Sequence, residues 1–321
     1  MSKKHIYSIV LIVIASMSYA QQISQFSQYM NTKFLLNPAA TGISGKLNFH
    51  LGYRNQWSGF ENAPRAYFAG GDYVLGNQHN RFSYIDKSTR VSNPDLFKQF
   101  DSTGIAKSVV GGYIYSNNYF PVQSWTFNGS YSYHIPLDEF YISIGGALSV
   151  VNHEVNTDGI SLLDDNDEEF LALLNTPNTT SIDVNLGFMV YSHNIYFGYA
   201  VNRLASNSLR FSGDEFPSNF NTHHYISTGA KFGVIRGLVL KPSLMIRTVS
   251  NTPTSFDINL LSEIQKRWAL GVSYRREDAI VLIGGVTFNQ HYSVFYSYDV
   301  NTSTINTVSS GSHEVTLSAK F

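Results

Sequence analysis

GSHEVTLSAKF, residues 311–321, is the stretch on which the fold turns. Val315, Leu317, Ala319 and Phe321 alternate with Glu314, Thr316, Ser318 and Lys320. A period of two gives a strand one apolar face and one polar face. Such a strand closes a membrane β-barrel or forms the edge of a soluble sandwich, and by itself the stretch admits both.

The composition separates the two. The 321 residues are 14% aromatic and 14% charged, with 24 Gly and no Cys. Soluble domains carry roughly 25% charged residues. Abundant Tyr, Phe and Gly with few charges suits strands that face lipid and end in aromatic girdles. The net charge of −1 gives no reason to expect a nucleic-acid partner. Without Cys there are no disulfides and no thiolate metal sites.

The N-terminus indicates the compartment. Lys3 and Lys4 precede an apolar run from Ile6 to Ala15, then Ser18-Tyr19-Ala20. This is the pattern of a secretory signal peptide, with cleavage expected after Ala20. The run is shorter than the ~20 residues a membrane helix needs. A barrel in the outer membrane is the expected destination.

Alternating segments recur along the chain: Leu47–Arg54, Tyr67–Tyr73, Val109–Tyr115, Ser124–Ile135, Phe140–Val150, Ile182–Tyr191 and Ile195–Asn202. They continue at Tyr225–Phe232, Leu238–Thr248, Phe256–Glu263, Trp268–Arg275, Ile280–Phe288, Tyr292–Asp299 and the closing stretch. The expectation is an all-β chain: one transmembrane antiparallel barrel of about 14 strands. Residues 1–20 are the signal peptide, 21–45 a lead-in segment without a clean period, and 46–321 the barrel. Short connections fall near Pro136, Ser192, Gly233, Gln265 and Asn289, where periplasmic turns are expected. Long ones follow strands five, seven and thirteen, where extracellular loops are expected. Asn77–Thr103 is long for a periplasmic link, and is either an insertion or the site of two weak strands. Glu168–Leu174 is the one candidate helix. The inward sets are Ser, Thr, Asn, His, Arg and Gly, so the lumen should hold water or a polar segment. The closing strand should pair with Leu47–Arg54.

Several motifs carry a resemblance. QFSQYM (25–30), FLLNPAATG (34–42) and YRNQWSGFENAPRAY (53–67) form a multi-part N-terminal signature. YFGYAVNRL (196–204), LKPSLMIR (240–247), WALGVSYRREDA (268–279), YSYD (296–299) and GSHEVTL (311–317) follow. Together they resemble the PorP/SprF family, outer-membrane proteins of the type IX secretion system and gliding machinery of Bacteroidetes. Asn77–Thr103 departs from the family, whose link there is commonly shorter. The resemblance implies a non-enzymatic component that helps export or surface-anchor a cargo protein with a C-terminal sorting domain. Its implied partners are that cargo, other type IX components on the periplasmic side, and outer-membrane lipid. A passive, porin-like channel is the rival reading.

No catalytic, cofactor or metal site is expected. Asp164, Asp165, Asp167, Glu168 and Glu169 lack the spacing and central Gly of an EF-hand and read better as a solvated loop. His134, His223 and His224 have no partner at a diagnostic metal spacing. No G-x-S-x-G nucleophile motif occurs. The residues singled out are Arg54, Trp57, Arg65 and Arg275, near strand ends, with Asn37, Pro38, His313 and Glu314 from the resemblance. They are either interfacial and luminal fittings or contacts that fix the lead-in segment or a partner. Phe321 is the expected assembly signal.

Overall fold

Lipid offers no hydrogen bonds, so a sheet whose outer face meets lipid must pair every backbone group and close on itself. The chain does this with fourteen strands. The computed structural model describes residues 26–76, 106–156, 178–205, 210–212, 221–250 and 252–321. The first strands are β1 (Leu47–Asn55), β2 (Arg65–Leu75), β3 (Lys107–Tyr119), β4 (Val122–Leu137) and β5 (Phe140–Val155). Then come β6 (Asn178–Tyr191), β7 (Ile195–Asn202) and β8 (His223–Ala230, resumed at Phe232–Ile235). The remainder are β9 (Leu238–Val249), β10 (Ser255–Ile264), β11 (Trp268–Arg275), β12 (Ala279–Phe288), β13 (Tyr292–Asn301) and β14 (Ser312–Lys320). A short strand, Arg210–Ser212, pairs with β6 beyond the end of β7.

Each strand is antiparallel to its neighbours in chain order. The seam joins the last strand to the first, with Asn48 opposite Lys320 and Asn55 opposite His313. The expected pairing of the closing strand is therefore observed. Leu148 is 63% exposed while its neighbour Ser149 is 3% exposed. The same alternation leaves Phe49, Leu51, Ile144, Leu270 and Leu282 on the outer surface. That exposed apolar belt is what a lipid-facing barrel requires.

Both Lys46 and Phe321 lie at the end where most turns are tight. The connections at Asp138-Glu139, Ser192–Asn194, Arg236-Gly237, Gln265–Arg267 and Asn289–His291 are each two or three residues. This is the periplasmic end by the usual rule for such barrels. Two turn positions differ from expectation. β4 runs through Pro136 to Leu137, and β8 runs past Gly233 to a turn at Arg236-Gly237, where Gly237 takes φ +87°. A Gly tolerates that left-handed backbone without strain.

The strands extend further outward than their alternation suggests. Asn152–Val155, expected in a loop, pair with β4, and Asn178–Thr180, also expected there, pair with Asn152–Glu154. Past the hydrocarbon layer an outward Asn or Glu costs nothing, so the apolar/polar code fades while backbone pairing continues. Outer connections are also less uniform than expected: β3 and β4 are joined by only Phe120-Pro121. β2 pairs directly with β3, Leu75 opposite Ser108, so no strand stands between them. Residues 77–103, the Glu168–Leu174 helix and the acidic cluster at 164–169 lie outside the described residues.

Candidate functional site

Residues 26–45 lie inside the lumen and cross it. These residues precede β1 and have no alternation because they join no sheet. Phe26 and Ser27 sit in the outer half, and the segment descends to Gly45 at the periplasmic rim. Two single-turn 3-10 helices, Lys33–Leu35 and Pro38–Ala40, keep it compact. Asn37 caps the second: its side-chain oxygen accepts from Ala39 N at 2.9 Å, and Pro38 supplies the fixed φ suited to a first helical position. Ser27, Gln28, Thr32, Asn37 and Thr41 are buried, so each needs a partner from the barrel wall.

The outer end of this plug is latched by charges. Glu314, fully buried, accepts from the backbone N–H of Ser27 at 2.7 Å and of Gln28 at 3.0 Å. Arg54 pairs with Asp299 at 2.7 Å and Glu314 at 3.1 Å, and donates to the Ser27 hydroxyl at 2.9 Å. Arg275 donates to the same hydroxyl at 3.1 Å, and Ser27 in turn donates to Asp299. Arg275 also reaches Asp257 at 3.3 Å and Asp278 at 3.0 Å, and Arg247 pairs with Asp257 at 2.7 Å. Buried charges persist only when paired and hydrogen-bonded. One serine of the lead-in completes a network drawn from β1, β9, β10, β11, β13 and β14.

Below the latch, the Tyr29 hydroxyl donates to Ser243 at 3.3 Å and accepts from Asn259 at 2.7 Å. Burial, more than any other influence, pushes this phenol up to about 12. Phe34 packs on His50 and Tyr113, and the Asn37 amide donates to the Phe188 carbonyl at 3.2 Å. Thr41 shares a hydrogen bond with Ser132, and Gly42 N donates to Asp72 at 3.0 Å. Two wall glycines make room. A Cβ on Gly145 would lie 2.5 Å from Ala39 N, and one on Gly187 would collide with Asn37 Oδ1. Pro38 and Ala39 therefore rest on bare backbone.

Of the residues named from sequence, Arg54, Arg275 and Glu314 meet at the latch, and Asn37 and Pro38 lie on the glycine patch. The other four sit elsewhere. Trp57, at φ +55°, donates its backbone N–H to Ser312 Oγ at 3.0 Å in the outer β1–β2 connection. Arg65 is exposed at the start of β2. His313 shares a hydrogen bond with Tyr296 and packs against Tyr298 on the outer face. Phe321 stacks on His291, and its carbonyl accepts from Lys46 N and Leu47 N. Sequence reasoning missed Ser27, Gln28, Asp257 and Asp299. Their signal was available only in part: Asp257 and Asp299 fall in the inward register, but nothing in a linear pattern says which inward charges meet.

Ser132 and His134 approach at 3.1 Å, yet the other ring nitrogen of His134 meets the Tyr191 hydroxyl, not a carboxylate. Both side chains are fully buried, with Thr41 seated on Ser132. The pair is a structural hydrogen bond. Among the described residues, no group of three or more His, Asp or Glu is placed to hold a metal ion.

The family described as "Type IX secretion system membrane protein PorP/SprF" matches residues 18–319. The chain belongs to that family. No curated protein matches it. Among solved structures it is similar to the outer membrane protein Omp33 of Acinetobacter baumannii, at 8% identity and TM-score 0.48, over 88% of this chain and 100% of that one. It is also similar to the CymD monoaromatic hydrocarbon channel, at 12% identity and TM-score 0.48, over 96% of each chain. The Ralstonia pickettii toluene transporter TbuX follows at 13% identity and TM-score 0.47, over 90% of this chain and 93% of that one. These likenesses are too distant to speak to function.

Proposed function

We propose that this family member is a non-enzymatic, non-conducting outer-membrane component of type IX secretion that holds partners in place. It helps export or surface-anchor a cargo protein bearing a C-terminal sorting domain. The outer loops meet the cargo, and the periplasmic side meets other components of the machinery. Residues 77–103, between β2 and β3 at the periplasmic end, are the candidate contact for that machinery. Residues 1–20 direct export and are removed.

The observation that carries this reading is the segment that crosses the lumen. A passive channel needs an open, wet pore, whereas here side chains of residues 26–45 hydrogen-bond to wall residues of β1, β4, β6, β7, β9, β10, β11, β13 and β14, as interior polar groups must. A barrel plugged this way is suited to presenting its two ends.

Two measurements test it. In planar bilayers the full chain should show little conductance, and removing residues 26–45 should raise it. In cells, deleting the gene should strip a sorting-domain cargo from the surface. Unchanged cargo display, or porin-sized conductance from the intact chain, would overturn the reading.

A further inference from the structure

Beneath the plug, at the periplasmic end, the lumen holds a cavity of about 190 Å³. Lys33, Phe34 and Ile43 of the plug form its roof, and the inner faces of β8 to β14 form most of its wall. Lys266, Arg267 and Gln290 stand at its rim. The plug lies between this cavity and the outer end, so a ligand reaches it from the periplasm.

The charge of this vestibule is one-sided. Among the described lining residues, six carry basic side chains (Lys33, Lys231, Lys241, Lys266, Arg267 and Lys320) and two carry carboxyl groups, Asp72 and Glu263. Both carboxylates are engaged. Glu263 pairs with Lys241, and Asp72 accepts from Gly42 N at 3.0 Å and Asn48 Nδ2 at 2.7 Å. Among the described residues, neither Lys33 nor Lys320 has a carboxylate at ion-pair distance. Lys33 lies over the Tyr196 ring at 4.3 Å. Burial first, then Lys320 and Lys241, holds the Lys33 ammonium down to about 7. A recess lined by one sign of charge in low-dielectric walls concentrates ligands of the other sign.

The lining also selects the kind of anion. Phe34, Ile43, Leu261 and Phe295 are interspersed with the cations. A bare phosphate would leave that apolar surface unused. A polypeptide carrying carboxylates beside apolar side chains would use both. The chain's own segment 77–105 leaves from the same rim, but it carries Arg81, Lys87, Arg90 and Lys98 against Asp86, Asp95 and Asp101, so its charge is not complementary. We propose that the vestibule is a docking site for an acidic, apolar-flanked peptide segment of a periplasmic partner. This stands apart from the cargo reading: such a peptide would bind in vitro whether or not cargo display depends on the barrel.

The test uses the full chain in detergent micelles and fluorescence anisotropy. The probe is a short fluorescein-labelled peptide of alternating Glu and Leu, with a Lys-Leu peptide as its counterpart. The Glu-Leu peptide should bind, weakening with salt, and the Lys-Leu peptide should not. Lys33→Gln combined with Lys320→Gln should weaken binding about tenfold, since each removes a partly screened charge interaction. Lys266→Gln with Arg267→Gln, at an exposed turn, should weaken it in the same direction. Heat-dependent gel mobility checks that each variant folds. Equal binding by the folded variants would overturn the proposal, as would full displacement by millimolar inorganic phosphate. So would a wild-type chain that binds nothing while a variant lacking 77–105 binds, because the chain's own segment would then be the occupant.

Discussion

Glu314→Gln is the most direct test of the latch. The substitution keeps the size of the side chain and removes its charge. In the wild type one carboxylate accepts three hydrogen bonds, from Ser27 N, Gln28 N and Arg54. A glutamine has one acceptor oxygen, so its NH2 must face one of the two backbone donors. That donor is left buried and unsatisfied, at a cost of roughly 1–3 kcal/mol. Arg54 keeps Asp299 and Ser27, so it is not stranded. A loss of about 1–3 kcal/mol corresponds to a ~5- to 150-fold rise in the open fraction of the plug's outer end. Amide hydrogen exchange of the segment around Ser27 and Gln28 reads that opening directly, because exchange requires the hydrogen bonds to break. The barrel strands should keep their protection. Glu277→Gln, in an exposed pair with Arg276, serves as the control and should change nothing. Unchanged exchange at Ser27 and Gln28 in the folded Glu314→Gln protein would refute the latch. An equal rise in every strand would also count against it, since that reports global loosening.

Other outcomes follow from the same geometry. Gly145→Ala and Gly187→Ala should unseat the plug and raise bilayer conductance, whereas Gly129→Ala and Gly284→Ala, with nothing within 4 Å of the added methyl, should not. Lys33 is depressed from 10.5 to about 7 when seated among Lys241, Lys320 and Tyr196, so the unseated state binds more protons between those values. Plug stability should therefore rise as pH increases from about 7 toward 10 and be lowest below 7, read as the temperature of the gel-mobility shift; Lys33→Met should reduce the difference. Phe321→Ala removes the ring stacked on His291 while leaving the carbonyl that accepts from Lys46 and Leu47. It should lower the amount of folded barrel recovered from membranes, and normal recovery would count against an assembly role.

The wall was legible in the sequence because lipid imposes a strict code. Where a residue such as Leu148 must be apolar and Ser149 need not be, the alternation fixes strand and face together. The code weakened at the outer ends, where Asn152 and Glu154 continue a strand in water. The plug was less legible for a related reason. Its neighbours are polar on one side and apolar on the other, so Ser27, Gln28 and Thr41 appear beside Tyr29 and Ala39 with no period at all. The polar inward sets did imply a guest, and the guest turned out to be the chain itself. What no linear pattern conveys is the meeting of Arg54, Arg275, Asp299 and Glu314, which depends on closing the ring.

The position of the plug in the chain has a consequence for the order of events in assembly. Residues 26–45 run straight into β1, and β1 is one lip of the junction between the two ends of the sheet. Once that junction is zipped, a segment studded with buried hydrogen bonds could enter only by being threaded lengthwise through a ring already satisfied. The economical order is the reverse: the segment lies on the concave side of the growing sheet, and the sheet wraps around it. It then acts as a former, with Ser27 and Gln28 drawing β13 and β14 toward β1 before their backbones meet. A chain lacking 26–45 should close more slowly in a refolding time course, and the same segment added later as a free peptide should not restore the rate.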